Sequence, residues 1–564
     1  MVNIILFGES YGVWDIKNNI EHRSFSKNAG LLRLSHYLRR QGFSVLQVNH
    51  MSSFSIEELD ALLDKNVSAE TLLVGLSTSF ISTVKIGGDP FDDTLGKNIS
   101  QKIHLDVLSK IEFIFKKVKD LNEQICTTIG GHEIFSSRFR KSEDLKIWGF
   151  DREFVDKIDY FIEGEAELIL TSLVNKHIPP VTIINGHKFI NAKTYIDDDY
   201  SLRASSPAPI VDCINQNESL LSQIGHGCIF NCQFCSRGVT SKNKNDFIRS
   251  KESFFTEMEF NYKHFGTTFY LFTDDMMNDN DVKMNWLTEI RNDIDIRWSG
   301  YSRLDVVDET WAKLFKSSGA SGIYFGLETF KKSIGPSIGK MTDGKKIKEL
   351  LHLVRREVGD DTIIKASFIA GLPTETYEEF EETIRWVLYS DEGQHLIDRI
   401  SVNPLHVFKS RKSIGLPETN RVEPFKDYII DEDISKNYSA KQDWVSPWGT
   451  RVGWSELTKE LYKNKNRNFF AMHPFYFTTY VNCGVDLQNL IKMHRKKSEI
   501  LSSLKPYMSK YLISQYKKKV IDLTKDDILE GHKKFWETFP ITKKTLPISI
   551  TISPIHSSDL EITM

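Results

Sequence analysis

The sequence predicts an α/β protein in which a doubly wound, Rossmann-like domain precedes a partial (β/α)6 barrel and a mainly helical C-terminal region. Three observations support this prediction. Short apolar runs alternate with amphipathic stretches early in the chain, the same alternation occurs six times in the middle, and helical periodicity dominates the last part. Strands that alternate with helices favour parallel sheets with covered faces.

Residues 1–190 show the pattern of the doubly wound domain. Apolar residues at helical spacing fill 29–43, where Gly42 occupies a position typical of a helix C-cap. Short apolar runs flank the predicted helices as buried parallel strands would. These runs are 3–8, 44–48, 71–79, 124–131 and 157–163. In such open sheets, ligands bind beyond the carboxyl ends of the strands.

The rest of the chain divides into three segments. Residues 191–217 contain Pro207 and Pro209 and are predicted to form an interdomain linker. The strand–helix alternation occurs six times within 218–415, which predicts a partial barrel with its chemistry at the carboxyl ends of the strands. Residues 416–564 include the aromatic stretch WVSPWGTRVGW and then become helical, which predicts a substrate or accessory region.

Composition argues against several classes of protein. Hydrophobic residues make up 40% of the 564 residues and charged residues 26%, as in ordinary globular proteins. The net charge of -3 makes nucleic acid an unfavourable partner, and the basic clusters at 461–468 and 514–523 are interpreted as solvated helix faces, with RNA contact as the alternative. The sequence has neither an apolar run of roughly 18–20 residues nor a basic signal-peptide region, so no membrane contact and a cytoplasmic location are expected.

Three of the six cysteines, Cys228, Cys232 and Cys235, share one short loop. Tight clustering without a secretory signal indicates a metal site rather than disulfides. Three thiolates hold three irons of a cubane cluster and leave the fourth iron open, and an open metal site favours catalysis. A structural zinc site and an electron-transfer cluster are the alternatives, but both normally take a fourth protein ligand.

The spacing Cys228-x3-Cys232-x2-Cys235, with Phe234 before the last cysteine, resembles the signature of the radical S-adenosylmethionine superfamily. The loop also follows the first of six βα strands, where that superfamily carries it. The resemblance implies a [4Fe–4S] cluster whose open iron is chelated by the amino and carboxylate groups of S-adenosylmethionine. It further implies reductive cleavage to methionine and a 5′-deoxyadenosyl radical, with an electron donor such as flavodoxin or ferredoxin.

The resemblance also implies S-adenosylmethionine contacts at the strand ends. The candidates are Phe234 beside adenine, Asp274 and Asp275 for the methionyl amine, Arg303 for the carboxylate, Glu328 for the ribose, and Gly371 and Pro373 beside adenine. Many relatives carry Gly-Gly-Glu where this chain has Thr-Asp-Asp. The alternatives are loop packing for the phenylalanine, a helix cap for one aspartate, a structural role for the arginine and a simple turn for the glycine.

An α/β domain ahead of such a barrel resembles the cobalamin-binding subfamily. The implied cobalamin contacts lie where strands end, at Ser77, Thr78, Ser79, Gly130, Gly131, Gly164 and Glu165. The Asp-x-His-x-x-Gly motif that supplies an axial histidine in many cobalamin proteins is missing, which argues against histidine ligation more than against cobalamin. A domain that keeps this fold without the cofactor is the alternative.

The function implied by the resemblance is cobalamin-dependent methyl transfer to an unactivated carbon of a small-molecule or peptide substrate. Radical rearrangement, cyclisation or oxidation, with or without cobalamin, is the main alternative. A methylthiotransferase would need a second cluster, and the spacing of Cys126 and Cys213 does not suit one. A non-catalytic sensor of cluster or corrinoid is a further alternative. The substrate, the oligomeric state and the role of Cys483 are not predicted.

Overall fold

The predicted fold class is confirmed by a computed structural model of the chain. It describes residues 2–9, 12–15, 20–23, 25–79, 97–131, 153–184, 186–191, 204–230, 232–235, 247–340, 343–405, 425–430, 444–463, 475–496 and 498–542. Two parallel sheets carry the described part of the chain, and a set of C-terminal helices packs against both of them. None of the helices in these ranges is both long enough and apolar enough to cross a membrane.

The described residues in the first part of the chain form nine strands and four α-helices. The strands are β1 (Ile4–Phe7), β2 (Gly12–Asp15), β3 (Ile20–Arg23), β4 (Val45–Val48), β5 (Leu73–Ser77), β6 (Cys126–Gly130), β7 (Tyr160–Glu163), β8 (Thr182–Ile184) and β9 (His187–Asn191). The helices are α1 (Ala29–Arg40), α2 (Ile56–Asn66), α3 (Lys97–Leu121) and α4 (Glu167–Val174). Seven of the strands form one sheet, and β2 pairs with β3 in a separate hairpin.

The seven-stranded sheet has the order β4-β1-β5-β6-β7-β9-β8, and only β8 is antiparallel to its neighbour. The strands β1 and β4 are fully buried, as their continuous apolar runs predict. Helix α1 begins where the Asn28 side chain accepts a hydrogen bond from the Leu31 amide, and α2 begins at a capping box of Ser55 and Glu58. The chain order reverses on either side of β1, so the ligand crevice of this fold lies beyond β1 and β5.

The middle of the chain supplies the second parallel sheet. Its segments are β10 (Leu220–Ser222), β11 (Gly225–His226), β12 (Phe247–Ile248), α5 (Lys251–Phe265), β13 (Phe269–Phe272), α6 (Asp281–Ile290), β14 (Arg297–Ser302), α7 (Glu309–Ser317), β15 (Ala320–Glu328), α8 (Gly344–Val358), β16 (Ile363–Ala370), α9 (Tyr377–Tyr389), α10 (Asp391–Leu396) and β17 (Arg399–Pro404). Six strands pair in the order β10-β13-β14-β15-β16-β17, all parallel, and β11 pairs with β12 alone. Among the described residues β10 and β17 are the two edges, so the barrel is partial, as predicted.

The C-terminal region closes one end of this barrel. It consists of β18 (Ile429–Ile430), β19 (Trp444–Ser446), β20 (Gly449–Thr450), α11 (Arg451–Lys463), α12 (Phe475–Asn482), α13 (Leu487–Lys496), α14 (Ser498–Asp522) and α15 (Lys525–Thr538). Phe477, Leu490 and Leu501 from three of these helices form one apolar cluster with Phe269 and Ile363. Those last two residues begin β13 and β16, so the helices cover the amino ends of the barrel strands.

The same region also covers the exposed edge of the first sheet. The amide of Val45 in β4 donates to His532 Nε2 at 2.9 Å, and the Trp536 indole donates to the carbonyl of Arg39 at 2.7 Å. A side-chain acceptor therefore satisfies a backbone donor of the edge strand. The segment before the barrel is fixed here too, because buried Asp212 pairs with buried Arg39 at 2.6 Å.

Candidate functional site

A buried aspartate holds the segment that leads into the cysteine loop. The two carboxylate oxygens of Asp274 accept hydrogen bonds from the amides of Ile224 and Gly225, at 3.0 and 2.7 Å. Lys283 lies 3.2 Å from the same carboxylate and 2.9 Å from Asp279. Because the bonded amides lie just ahead of the cysteines, Asp274 fixes where the loop leaves β10.

The three loop cysteines are half-buried and lie beside two cations. The Cys235 amide donates to the Cys232 carbonyl at 3.2 Å, and an Arg303 guanidinium nitrogen lies 3.3 Å from Cys232 Sγ. Burial raises the pKa of the Cys232 thiol, while Lys340 and Arg303 oppose that shift. Within the described ranges no three His, Cys, Asp or Glu side chains converge on a single ion. A cubane cluster does not need such convergence, because each thiolate binds a different iron.

Arg303 is the residue that ties the loop to the barrel. Its guanidinium lies 4.1 Å from the Phe230 ring centroid, and Nη2 donates to Asp305 at 2.7 Å and to the Gly339 carbonyl at 2.6 Å. These partners direct the guanidinium towards the loop cysteines. The structure therefore places Arg303 beside the thiols, and its expected contact with a methionyl carboxylate stays a prediction. Phe234 is partly buried and packs against the main apolar core.

Glu328 ends β15 in an unusual backbone conformation. Its φ angle is +66°, which few residues other than glycine adopt, and the pairing of β15 with β16 shifts register between Gly326 and Glu328. A Cβ on Gly326 would contact Glu328 Oε1, so a larger residue there would displace this carboxylate. Burial raises the pKa of Glu328, and Lys340, whose Nζ is 3.8 Å away, opposes the shift. The bulge thus aims a buried acid at the carboxyl end of the barrel.

The two adjacent aspartates after β13 have different positions. Asp274 is buried and contacts the loop amides and Lys283, so it positions the loop, and its expected contact with the methionyl amine stays a prediction. Neither aspartate caps the next helix, because the Asn280 side chain caps α6. Asp275 is half-buried and is the remaining candidate for the amine.

An indole fills the space beside Gly371, where adenine was expected. A Cβ on Gly371 would lie 2.4 Å from the Trp444 ring, and the Gly371 carbonyl accepts a hydrogen bond from the Tyr428 hydroxyl at 2.8 Å. The glycine, whose φ is +86°, is therefore needed for packing of the C-terminal region. Pro373 is buried in the same turn. The structure gives this turn a packing role, and the expected contact of Gly371 with adenine stays a prediction.

The strand ends of the first sheet bring the predicted cobalamin contacts together. Thr78 follows β5, and both its amide and its hydroxyl donate to the Gly130 carbonyl, at 2.7 and 2.9 Å. A Cβ on Gly131 would lie 2.9 Å from the Thr78 amide nitrogen, so the two turns touch. Ser77 and Ser79 flank this contact and are half-buried. The edge formed by β5 and β6 therefore presents small side chains and closely packed backbone.

The turn after β7 joins this edge to the cysteine loop. Gly164 has a φ of +87° and lets the chain turn into α4. The carboxylate of Glu165 then lies 3.3 Å from His226 Nε2, two residues before Cys228, and 3.9 Å from Arg33. The carboxyl edges of the two sheets are therefore in direct contact.

Sequence reasoning missed several residues that shape this site. His226, Lys340 and Asp305 carry no recognisable spacing, and the structure pairs them with Glu165, Glu328 and Arg303, respectively. One available signal was the loss of apolar character inside strands. Lys365 interrupts the otherwise largely apolar run of β16, which indicates a side chain that faces a polar interior.

Comparison with known proteins assigns the central part of the chain. Residues 222–387 match the family described as the radical SAM superfamily. This segment runs from the end of β10 to α9 and contains the cysteine loop. Residues 222–387 form a radical SAM domain.

Two curated relatives agree with this assignment. An uncharacterized methyltransferase of Pyrococcus horikoshii is 26% identical over 48% of this chain and 60% of its own length. The anaerobic magnesium-protoporphyrin IX monomethyl ester cyclase of Rubrivivax gelatinosus is 23% identical over 52% of this chain and 57% of its own length. The chain thus spans less than two thirds of each relative. The family match at 222–387 and these relatives show that the chain is similar to radical SAM enzymes.

One solved structure shares the fold of nearly the whole chain. It is the radical S-adenosylmethionine methyltransferase TsrM from Kitasatospora setae, with cobalamin and a [4Fe–4S] cluster bound. The TM-score is 0.58 at 15% identity, and the match covers 89% of this chain and 99% of that one. The shared architecture therefore includes the first sheet as well as the radical SAM domain.

Proposed function

We propose that this enzyme is a cobalamin-dependent radical SAM methyltransferase that cleaves S-adenosylmethionine reductively and methylates an unactivated carbon of a small-molecule or peptide substrate. The observation that carries the proposal is the contact between Glu165 and His226. It brings the strand ends of a doubly wound sheet next to the cysteine loop of the radical SAM domain. Two cofactor sites that exchange a group or a radical must be close in this way.

The residues around the loop suit a [4Fe–4S] cluster. Cys228, Cys232 and Cys235 are accessible enough to ligate iron, and the positive charges of Arg303 and Lys340 lie beside Cys232 and favour its thiolate form. A cluster held there supplies the electron that splits the sulfonium of S-adenosylmethionine. The electron in turn comes from a reduced donor protein such as flavodoxin or ferredoxin.

The carboxyl end of the barrel offers groups for S-adenosylmethionine itself. Glu328 is a buried acceptor suited to the ribose hydroxyls, and Asp275 is suited to the methionyl ammonium, where a charge-assisted hydrogen bond forms. Phe234 and Pro373 offer apolar surface for adenine. Each group lies on or directly after a barrel strand or in the loop, at the face that carries the chemistry of such barrels.

The first sheet offers a site for cobalamin. Ser77 and Ser79 place hydroxyls, and Gly130 and Gly131 place bare backbone, at the crevice where open sheets bind ligands. Bound cobalamin supplies a methyl carrier between S-adenosylmethionine and the substrate. The small side chains leave room for the broad ring to approach the backbone.

The proposal is tested by anaerobic reconstitution of the full chain with iron, sulfide and hydroxocobalamin, followed by reduction in the presence of S-adenosylmethionine. We expect one cluster and one cobalamin per chain, and mass spectrometry should detect both 5′-deoxyadenosine and S-adenosylhomocysteine. The second product reports methyl transfer and the first reports radical formation. A reconstituted protein that forms neither product would contradict the proposal and favour the sensor.

Radical cyclisation or oxidation is the second candidate, because one relative is named a cyclase. The same experiment separates the two candidates. Formation of 5′-deoxyadenosine without S-adenosylhomocysteine, at full cobalamin occupancy, favours this chemistry over methylation.

A further inference from the structure

A row of four large polar side chains crosses the radical SAM sheet. Tyr301, Tyr324, Lys365 and Arg399 are register partners on the consecutive strands β14, β15, β16 and β17. Partners in neighbouring strands point to the same side of a sheet. Ile364 and Ala366, on either side of Lys365, belong to the core beneath the helices, so the row faces the barrel lumen.

Lys365 is a buried cation in the interior of the barrel. Only 9% of its surface is exposed, and its Nζ lies 5.7 Å from the Tyr324 ring centroid. Among the described residues it has neither a hydrogen-bond acceptor nor an acidic partner, and burial lowers its pKa to about 8. Arg399 beside it donates to the carbonyl of Asp398 and adds positive charge to the same row. Burial of an unpaired ammonium is unfavourable, and an anionic group bound in the lumen would supply the missing charge.

The depth of Lys365 suits a substrate that enters from the cofactor end. Glu328 is paired with Phe368, three residues along β16 from Lys365, so Lys365 lies about 10 Å deeper than the Glu328 level. Ile363, two residues deeper, belongs to the apolar cluster that closes the amino end of the barrel. Tyr301 in the same row is 44% exposed, so solvent reaches this level of the lumen.

We infer that the barrel lumen binds a substrate that carries a carboxylate. Lys365 pairs with this carboxylate deep in the lumen, and the rings of Tyr301 and Tyr324 contact the adjoining apolar part of the molecule. This inference names the substrate class of the proposed function and rests on it. The Lys365 ammonium beside two aromatic rings suits a carboxylate attached to an apolar group, because the ammonium and the carboxylate form a charge-assisted hydrogen bond. The substrate carbon that is methylated would then lie between Lys365 and the carboxyl ends of the barrel strands.

The test uses 3-phenylpropionate as the probe and its uncharged analogue 3-phenylpropionamide as the matched ligand. Isothermal titration of the cluster-loaded full chain at pH 7 should show saturable binding of the acid and at least tenfold weaker binding of the amide. Lys365→Met should weaken binding of the acid at least tenfold. Lys345→Met, a change at an exposed position of α8, should leave it unchanged.

The pH dependence gives a signature that a purely structural lysine would not give. Tyr324 and Arg399 are the ionisable groups beside Lys365 in its row, and Lys365 is the one that loses its proton between pH 7 and 9. Affinity of the wild type for the acid should therefore fall over this range. It should stay flat in Lys365→Met and remain high at pH 9 in Lys365→Arg.

The outcomes separate this inference from the proposed function. Equal affinity for acid and amide, unchanged binding in Lys365→Met, or no saturable binding of the acid would overturn the inference. A wild type that fails these binding tests yet releases 5′-deoxyadenosine and S-adenosylhomocysteine leaves the proposed function intact. A wild type that binds the acid through Lys365 yet forms neither product overturns only the proposed function.

Discussion

The two sheets both gather the carboxyl ends of parallel strands, yet they furnish those ends with different chemistry. At the barrel edge, Arg303, Lys340 and Glu328 place full charges in buried positions around the cysteine loop. At the β5–β6 edge of the first sheet, hydroxyls at 77–79 meet the paired glycines at 130–131. Parallel strand ends thus provide positions, whereas the residues placed there decide whether a small charged group or a broad ligand fits.

Loss of a loop cysteine should have the largest effect and should affect the barrel edge alone. We expect Cys228→Ala, Cys232→Ala or Cys235→Ala to abolish iron-dependent absorbance and 5′-deoxyadenosine formation, because no neighbouring thiol replaces the missing ligand. Iron analysis and product chromatography measure this. Cys483→Ala serves as the control and should keep full cluster content. A triple alanine variant that retains its cluster would refute the assignment of the loop.

Glu328 should matter to S-adenosylmethionine and leave the cluster intact. Removal of a charged hydrogen-bond partner costs about 1.5–3 kcal/mol, so Glu328→Gln should weaken S-adenosylmethionine binding roughly 10–100-fold. Gly326→Ala should have a similar effect, because the added methyl group would displace the Glu328 carboxylate. Equilibrium dialysis on cluster-loaded protein measures the affinity. Glu349→Gln, at an exposed position of α8, is the control, and wild-type affinity in both test variants would refute the role of Glu328.

Much of this architecture was predictable, because local patterns encode it. The apolar runs at 71–79 and 157–163 end within two residues of the ends of β5 and β7. The cysteine spacing indicated the loop chemistry without any structure. The roles of Asp274 and Gly371 were not predictable in the same way. Each depends on a partner distant in sequence, the amides at 224–225 and the Trp444 ring, and no local periodicity reports such contacts.

A buried acid at the barrel edge, Glu375, should make the free energy of unfolding depend on pH. Burial raises the pKa of Glu375 from 4.5 to about 8, and its neighbour Thr329 donates a hydrogen bond to it. The unfolded chain loses this proton near pH 4.5 and the folded chain only near pH 8, so the free energy of unfolding falls as pH rises between these values and then levels off. Neutral glutamine avoids the ionisation cost.

Glu375→Gln should therefore stabilise the protein by about 1–3 kcal/mol at pH 7.5 and by much less at pH 5. Urea unfolding at the two pH values measures the difference. Glu382→Gln, at an exposed position of α9, should show no such pH-dependent gain. A Glu375→Gln gain that is equal at both pH values would contradict the buried, protonated state of this acid.

The contact between Glu165 and His226 should produce the smallest effect, and it is the one that links the two edges. Both side chains are partly exposed, so the pair is worth only about 0.5–1 kcal/mol, equivalent to a change of roughly two- to fivefold in an affinity.

If the contact transmits the state of one edge to the other, cluster loading should change the affinity of the wild type for hydroxocobalamin by this factor. In Glu165→Gln the two affinities, with and without the cluster, should become equal. Glu70→Gln, an exposed change in the same domain, should preserve the wild-type difference. Spectrophotometric titration of the cluster-loaded and cluster-free full chain measures these affinities for the wild type and both variants. If Glu165→Gln keeps the wild-type difference between the two hydroxocobalamin affinities, this contact does not couple the two edges. The barrel edge and the edge of the first sheet would then act as independent binding sites.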